Sequence, residues 1–282
     1  MVIESSLFLD YLFYDLYNDN SNIEEKKVGD LFRHSDHDDQ SGDSNNQYFT
    51  VDPQLSSAFP PDFGDLVRLH YLIVARRVTT ILEFGIGKST IVFNDALKVN
   101  RNEHQYFISD NLRRSDPYKC YSVDNYREWI DEIQKKHDLE CVEYWFSELE
   151  MGTFEARVCT FYSNLPNVCP DFIYLDGPDQ FSPVGDIRGI STKHPDRLPM
   201  AADLLAIEHF LLPGTLIVVD GRTANARFLR ANFQRDWLYC YSEDFDQHFF
   251  ELCERPLGIY NKRQIEFCLG DSFFQRLALF ES

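Results

Sequence analysis

Positive charge is scarce in this chain. Its 282 residues carry 27 lysines and arginines against 46 aspartates and glutamates, a formal net charge of −19. Binding to a phosphate backbone rests on many Lys/Arg contacts, so a nucleic-acid partner is not expected. The excess acid mainly serves solubility. Long apolar runs are missing too: no stretch approaches the ~20 apolar residues of a membrane span, which argues against a membrane partner. Residues 1–16 lack a basic leader and carry Glu4, Asp10 and Asp15, so they do not read as a signal peptide. Paired cysteines are also absent. The seven, at 120, 141, 159, 169, 240, 253 and 268, contain no C-x-x-C spacing and are odd in number. That excludes a disulfide framework and a structural zinc site. Most flank apolar runs and read as buried small hydrophobes, which suits a cytoplasmic protein with reduced thiols.

What the chain does have is a globular composition, 44% hydrophobic with 24 phenylalanines. Residues 5–17 show near-helical apolar spacing, and 18–48 turn so polar that they read as a long loop. His34 and His37 lie there among Asp36, Asp38 and Asp39, a grouping better read as a solvated acidic loop than as a metal site. From about residue 60, strand-like and helical segments alternate. Helices are expected at 63–77, 89–99, 126–136, 200–212 and 225–233. Strands are expected at 79–84, 121–123, 142–146, 158–162, 172–175 and 216–219, with two paired strands at 238–242 and 248–253. The predicted fold is α/β: a Rossmann-like, doubly wound, mostly parallel sheet with a C-terminal antiparallel strand pair. The expected divisions are an N-terminal helix plus acidic loop over 1–59, a main domain over 60–255 and a C-terminal extension over 256–282. In such sheets ligands bind at the carboxyl ends of the strands. Four of those ends carry an acid: Glu83, Asp124, Asp176 and Asp220.

The most informative segment is Ile81 to Thr90, ILEFGIGKST. A strand ends, two glycines turn, and a helix begins with its N–H groups exposed. A P-loop would need its first glycine at Leu82, inside the strand, so Lys88 reads as a surface lysine. A dinucleotide fingerprint would need a third glycine at Thr90, and Glu83 would repel a pyrophosphate. A ligand bearing an ammonium and a sulfonium suits the acid instead.

This E-x-G-x-G-x-S pattern resembles the first motif of class I S-adenosylmethionine-dependent methyltransferases. Tyr121-Ser122-Val123-Asp124 is similar to that family's second motif, at a longer spacing that implies an insertion around 100–118. Asp171 to Pro178 and Leu212 to Asp220 resemble its later strand ends, so the likeness covers roughly 60–255. The resemblance implies S-adenosylmethionine as cofactor, bound by Glu83, Gly85, Gly87, Ser89 and Asp124, with the acid at 124 taking the ribose hydroxyls. Ser147 or the Ser163-Asn164 turn is a candidate for the adenine.

Within that family Asp176-Gly177 and Asp220 look most like the small-molecule O-methyltransferases related to catechol and macrocin methyltransferases. That likeness implies a divalent cation such as Mg²⁺ on Asp176 and Asp220, lowering the pKa of a substrate hydroxyl. The residues after the second acid depart from the pattern. They are Gly221-Arg222, and a guanidinium there could take the ion's electrostatic place. Without a metal, His194 or Asp179 is the candidate base, while His209 reads as structural. The proline-rich loop 177–199 is the expected substrate lid. The expected activity is methyl transfer to a small molecule, at a hydroxyl oxygen. The rival is a non-catalytic member acting through ligand or protein binding. Its aromatic N-terminal helix and Phe273-Phe274 to Phe280 would then support protein contacts or homodimerisation. An open pocket beside Gly85 favours the enzyme; Arg222 or Tyr126 filling it favours the rival.

Overall fold

In a computed structural model, residues 5–17, 21–33 and 62–281 are described. The elements, in chain order, begin with helices α1 (Ser5–Asp15), α2 (Ser21–Arg33) and α3 (Phe63–Ala75). Then come β1 (Thr80–Phe84), α4 (Lys88–Asn111), β2 (Lys119–Asp124), α5 (Arg127–Lys136) and β3 (Val142–Phe146). A hairpin, β4 (Leu149–Phe154) and β5 (Arg157–Tyr162), precedes β6 (Phe172–Leu175). Helix α6 (Asp203–Ile207), β7 (Leu216–Asp220), α7 (Thr223–Asn232), β8 (Trp237–Ser242), β9 (Gln247–Leu252), α8 (Gly258–Cys268) and α9 (Asp271–Glu281) complete the chain.

The seven-stranded sheet has the order β3-β2-β1-β6-β7-β9-β8. Strands β3, β2, β1, β6 and β7 run parallel, while β9 is antiparallel to both β7 and β8. This is the doubly wound, mostly parallel sheet with a C-terminal antiparallel pair that the alternating pattern calls for. The strand order reverses between β1 and β6, which makes that seam the switch point. Alternate residues of each strand feed two cores. Ile81, Phe172, Leu216 and Val218 face one cluster with Phe8 and Phe13 of α1, Leu69 and Ile73 of α3 and Phe273 of α9. Leu82, Ile173, Ile217 and Val219 face the other with Leu204 of α6 and Leu229 of α7.

Polar staples set the geometry. Asp62 caps α3 by accepting from the Gly64 amide at 2.6 Å. Buried Asp171 accepts from the Thr80 amide at 2.7 Å and from Arg114 at 2.8 Å, which ties the starts of β1 and β6 together. Asn100 of α4 donates to the Ile73 and Val78 carbonyls at the turn into β1.

Several sequence expectations are corrected. Residues 21–33 are a helix rather than loop, with Val28 and Glu24 buried; 34–48, with His34 and His37, lie outside the described residues. The insertion expected at 100–118 is mostly a continuation of α4, which runs 24 residues. The helix expected at 200–212 shrinks to α6 and one 3₁₀ turn. The strand at 158–162 pairs with β4, which the sequence reading did not assign. The 177–201 segment is stapled to that hairpin at two points: Val184 pairs beside β4 and Ala201 beside β5. Five of the seven cysteines are buried. Among the described residues no helix is long and apolar enough to cross a membrane.

Candidate functional site

The turn after β1 shows why its residues must be these. Gly85 has φ +98°, and a Cβ there would sit 2.9 Å from the Gly177 amide and 3.0 Å from the Asp176 carbonyl carbon. Only glycine lets the ends of β1 and β6 approach so closely. The Gly85 amide is itself held by the Val123 carbonyl of β2 at 2.9 Å. At Gly87 a Cβ would make only an ordinary contact, 4.0 Å from the Ser89 hydroxyl, so this half of the turn is less crowded than Gly85.

Glu83 is fully buried beneath this turn. Its carboxyl accepts from Ser89 at 2.6 Å, from Thr90 at 2.8 Å and from its cross-strand partner Ser122. Burial pushes its pKa up to about 7, against the pull of those three hydroxyls. The geometry gives Glu83 and Ser89 a joint task, fastening the first turn of α4 to the end of β1, and leaves Glu83 out of contact with solvent. Asp124 is also buried. One oxygen accepts from the Ile86 amide at 2.9 Å and the other from the Tyr126 amide at 2.7 Å. Burial raises it to about 6 against those bonds. Beside it, Ser147 donates its amide to the Asp124 carbonyl at 3.0 Å, and its hydroxyl lies 3.3 Å from that of Ser163.

Asp176 differs from both. Protein hems its carboxyl in enough to raise its pKa to about 7, with Asp220 and Asp65 adding to the rise and Arg222 opposing it. Yet 53% of its side chain remains open to solvent. Its backbone lies against Gly85 at the switch point, and its carboxylate faces solvent just past the end of β6. Arg222 spans the rim. It donates to the Pro178 carbonyl at 2.6 Å and to the Asp176 carbonyl, with its Nε 3.6 Å from the Asp176 carboxylate. Tyr126 reaches over from the β2 side to Asp179 at 3.0 Å.

Asp220 accepts from Tyr174 of the neighbouring strand, and burial raises its pKa. Across from it stands a pair that the sequence reading passed over, Asp65 and Arg68 in the first turns of α3, which bond each other. Asp65 is raised to about 6, first by burial and then by the charge of Asp220. Arg68 also reaches Gln247, the register partner of Asp220, at 3.4 Å. The signal available in sequence was an i, i+3 Asp–Arg pair directly after a capping Asp62.

The structure thus brings Glu83, Gly85, Gly87, Ser89, Asp124, Asp176 and Asp220 to one edge of the sheet. The ring of His194 is 49% exposed, with Nδ1 accepting from the Asp196 amide within its own turn. His209 is exposed beside Gln234.

The solvent-facing Asp176 suits a cationic ligand such as S-adenosylmethionine. The expected contacts of Glu83 and Asp124 suit one less, because both carboxyls are buried and already bonded. The residues do not suit a divalent ion. Among the described residues no group of three or more His, Cys, Asp or Glu side chains is placed to hold one. Asp176 has a guanidinium beside it, and Asp220 has a phenol.

No family model matches the chain, and no curated protein matches it. Solved structures do. The O-methyltransferase TomG from Streptomyces achromogenes, involved in tomaymycin synthesis and solved with S-adenosylmethionine, is 13% identical. The alignment covers 89% of this chain and 99% of that one, at a TM-score of 0.37. An O-methyltransferase from Bacillus cereus in complex with S-adenosylhomocysteine is 14% identical, covering 86% and 94% at 0.36. An O-methyltransferase-like protein from Klebsiella pneumoniae is 13% identical, with the same coverages and score. At such scores and identities these likenesses carry nothing about ligand, substrate or mechanism.

Proposed function

We propose that the protein is an S-adenosylmethionine-dependent methyltransferase acting on a small molecule at a hydroxyl oxygen. One observation carries this reading. The glycine turn after β1 lies at the switch point, hydrogen-bonded to the acid at the tip of β2, with the solvent-facing Asp176 just past β6 beside it. When bound, S-adenosylmethionine would supply an electrophilic methyl group. Gly85 and Gly87 let a ligand approach the backbone, and Asp124 offers its remaining lone pairs to ribose hydroxyls. Asp176 would offer its carboxylate to the cofactor's positive charge. In-line displacement needs chiefly alignment and a deprotonated nucleophile. The second requirement falls to Asp220 with Asp65, two coupled carboxyls with raised proton affinity on the acceptor side. His194, 49% exposed in the segment that follows Asp176, is the alternative base.

A second reading rests on Arg222 and Tyr126, which both fasten the 176–179 segment across the crevice. It holds the protein to be a non-catalytic member of the same fold, acting through ligand or protein contacts.

Isothermal titration with S-adenosylmethionine and S-adenosylhomocysteine separates the two. The expected result is binding of both, weakened at least tenfold in Asp124→Ala, about 1.4 kcal/mol. Absence of heat from a well-folded sample would sink the enzyme and leave the second reading.

A further inference from the structure

The imidazole of His70 on α3 is completely buried, yet both of its nitrogens meet carboxylates. Nδ1 faces Glu24 of α2, and Nε2 lies 3.0 Å from Asp95 of α4. A neutral imidazole has one donor and one acceptor nitrogen, so it would turn a lone pair toward one of two acceptor-only groups. The imidazolium donates to both. The protonated ring is therefore the form this geometry accepts, and it bridges three helices. Glu24 is buried as well and takes a second bond from Lys27 at 3.1 Å.

We propose that the His70 imidazolium, clamped between Glu24 and Asp95, is a pH-operated latch that holds α2 on the body of the protein and releases it as the solution turns alkaline.

Apolar packing gives α2 little else to hold by: Val28 is its fully buried apolar residue, Leu31 and Phe32 are partly buried, and Ile23 is 56% exposed. The charged or titratable groups facing His70 are Glu24 with Lys27 from α2 and Asp95 from α4. Beyond them, Lys88 of α4 lies over Phe32, and Asp15 of α1 acts on the neighbouring Tyr71. Burial by itself would pull the His70 pKa down. The hydrogen bonds to Asp95 and Glu24, and then their charges, outweigh it and hold the pKa above the ordinary 6.5. For Glu24, burial pushes upward, and its bonds to His70 and Lys27 win, holding it below the usual carboxylate value. Glu24 therefore stays ionised while His70 loses its proton. A histidine raised in the closed state stabilises that state fully below its open-state pKa. The stabilisation is lost as pH rises toward and through the closed-state value. Above that point α2 retains a buried carboxylate without its cation.

Hydrogen exchange read by mass spectrometry on the full chain, corrected for intrinsic rates, tests this between pH 6 and 9.5. The α2 peptide should lose protection by up to tenfold per pH unit above about 6.5 and then level off, while the α4 peptide keeps its protection. Asp95→Asn, which removes one charge and keeps an acceptor oxygen, should shrink the total fall and bring the plateau to lower pH. His70→Gln should abolish the pH dependence. Protection of α2 that parallels α4 at every pH in the unmodified protein would overturn the latch. So would a wild-type pH profile in Asp95→Asn or His70→Gln.

Discussion

Gly85 is the residue on which the candidate site turns. Its positive φ and the backbone atoms within 3.0 Å of an added Cβ leave no flexible neighbour to yield. Gly85→Ala should therefore cost about 1–3 kcal/mol in urea unfolding, from strain alone. It should also weaken any ligand bound at the crevice, because the ends of β1 and β6 must part. The two glycines and their flanking acids were legible in the sequence, since a strand that ends in an acid before a glycine turn names its own surroundings. The roles of the acids were not. Glu83 and Asp124 look alike in sequence, but the hydroxyls of Ser89, Thr90 and Ser122 close around one, while two backbone amides take the other.

Elements show the same division. Strand β6 falls where its continuous apolar run places it, because a strand covered on both faces needs little more than that run. The β4–β5 hairpin escaped notice because its turn is Glu155-Ala156, two non-glycine residues at φ 46° and 64°, with no Asn-Gly signal. Helix α2 escaped because one position of its buried stripe is an acid, made tolerable by a histidine 46 residues away. The 177–201 segment depends on such distant partners too. Buried Asn225 takes the Ala201 amide and gives to the Ala201 carbonyl, each at 2.9 Å. Asn225→Ala leaves both groups unsatisfied, which should cost about 2 kcal/mol. Limited proteolysis should then cut within 185–199 sooner than in the unmodified chain, and equal rates would show that the segment holds without this clamp.

For the whole molecule, buried acid dominates. Glu83 and Asp203 are raised to about 7, and Asp65 and Asp124 to about 6, each chiefly by burial. A carboxyl whose folded pKa lies above its unfolded value adds stability at low pH and loses it as pH rises through the folded value. The melting temperature should therefore fall between about pH 4 and 7. Glu83→Gln, similar in shape but unable to ionise, should flatten that fall by roughly 1.4 kcal/mol for each pH unit of Glu83's shift. Calorimetry across the range checks it, and a rising melting temperature would contradict it. The aromatic ends of the chain are divided: Tyr14 and Tyr17 are exposed, while others face inward. Phe8, Phe13 and Phe273 are buried, and Arg276 of α9 pairs at 2.9 Å with Glu251, which Arg76 also reaches at 2.9 Å.

The sequence by itself determined the α/β class, the parallel strands and the places where acids end them, because period and apolar runs are local properties of the chain. Tertiary structure decided which of those acids are sealed, which one faces solvent, and where α3 and α2 add charges of their own. Burial and hydrogen-bond partnership depend on residues far apart in sequence, and only the folded chain brings them together.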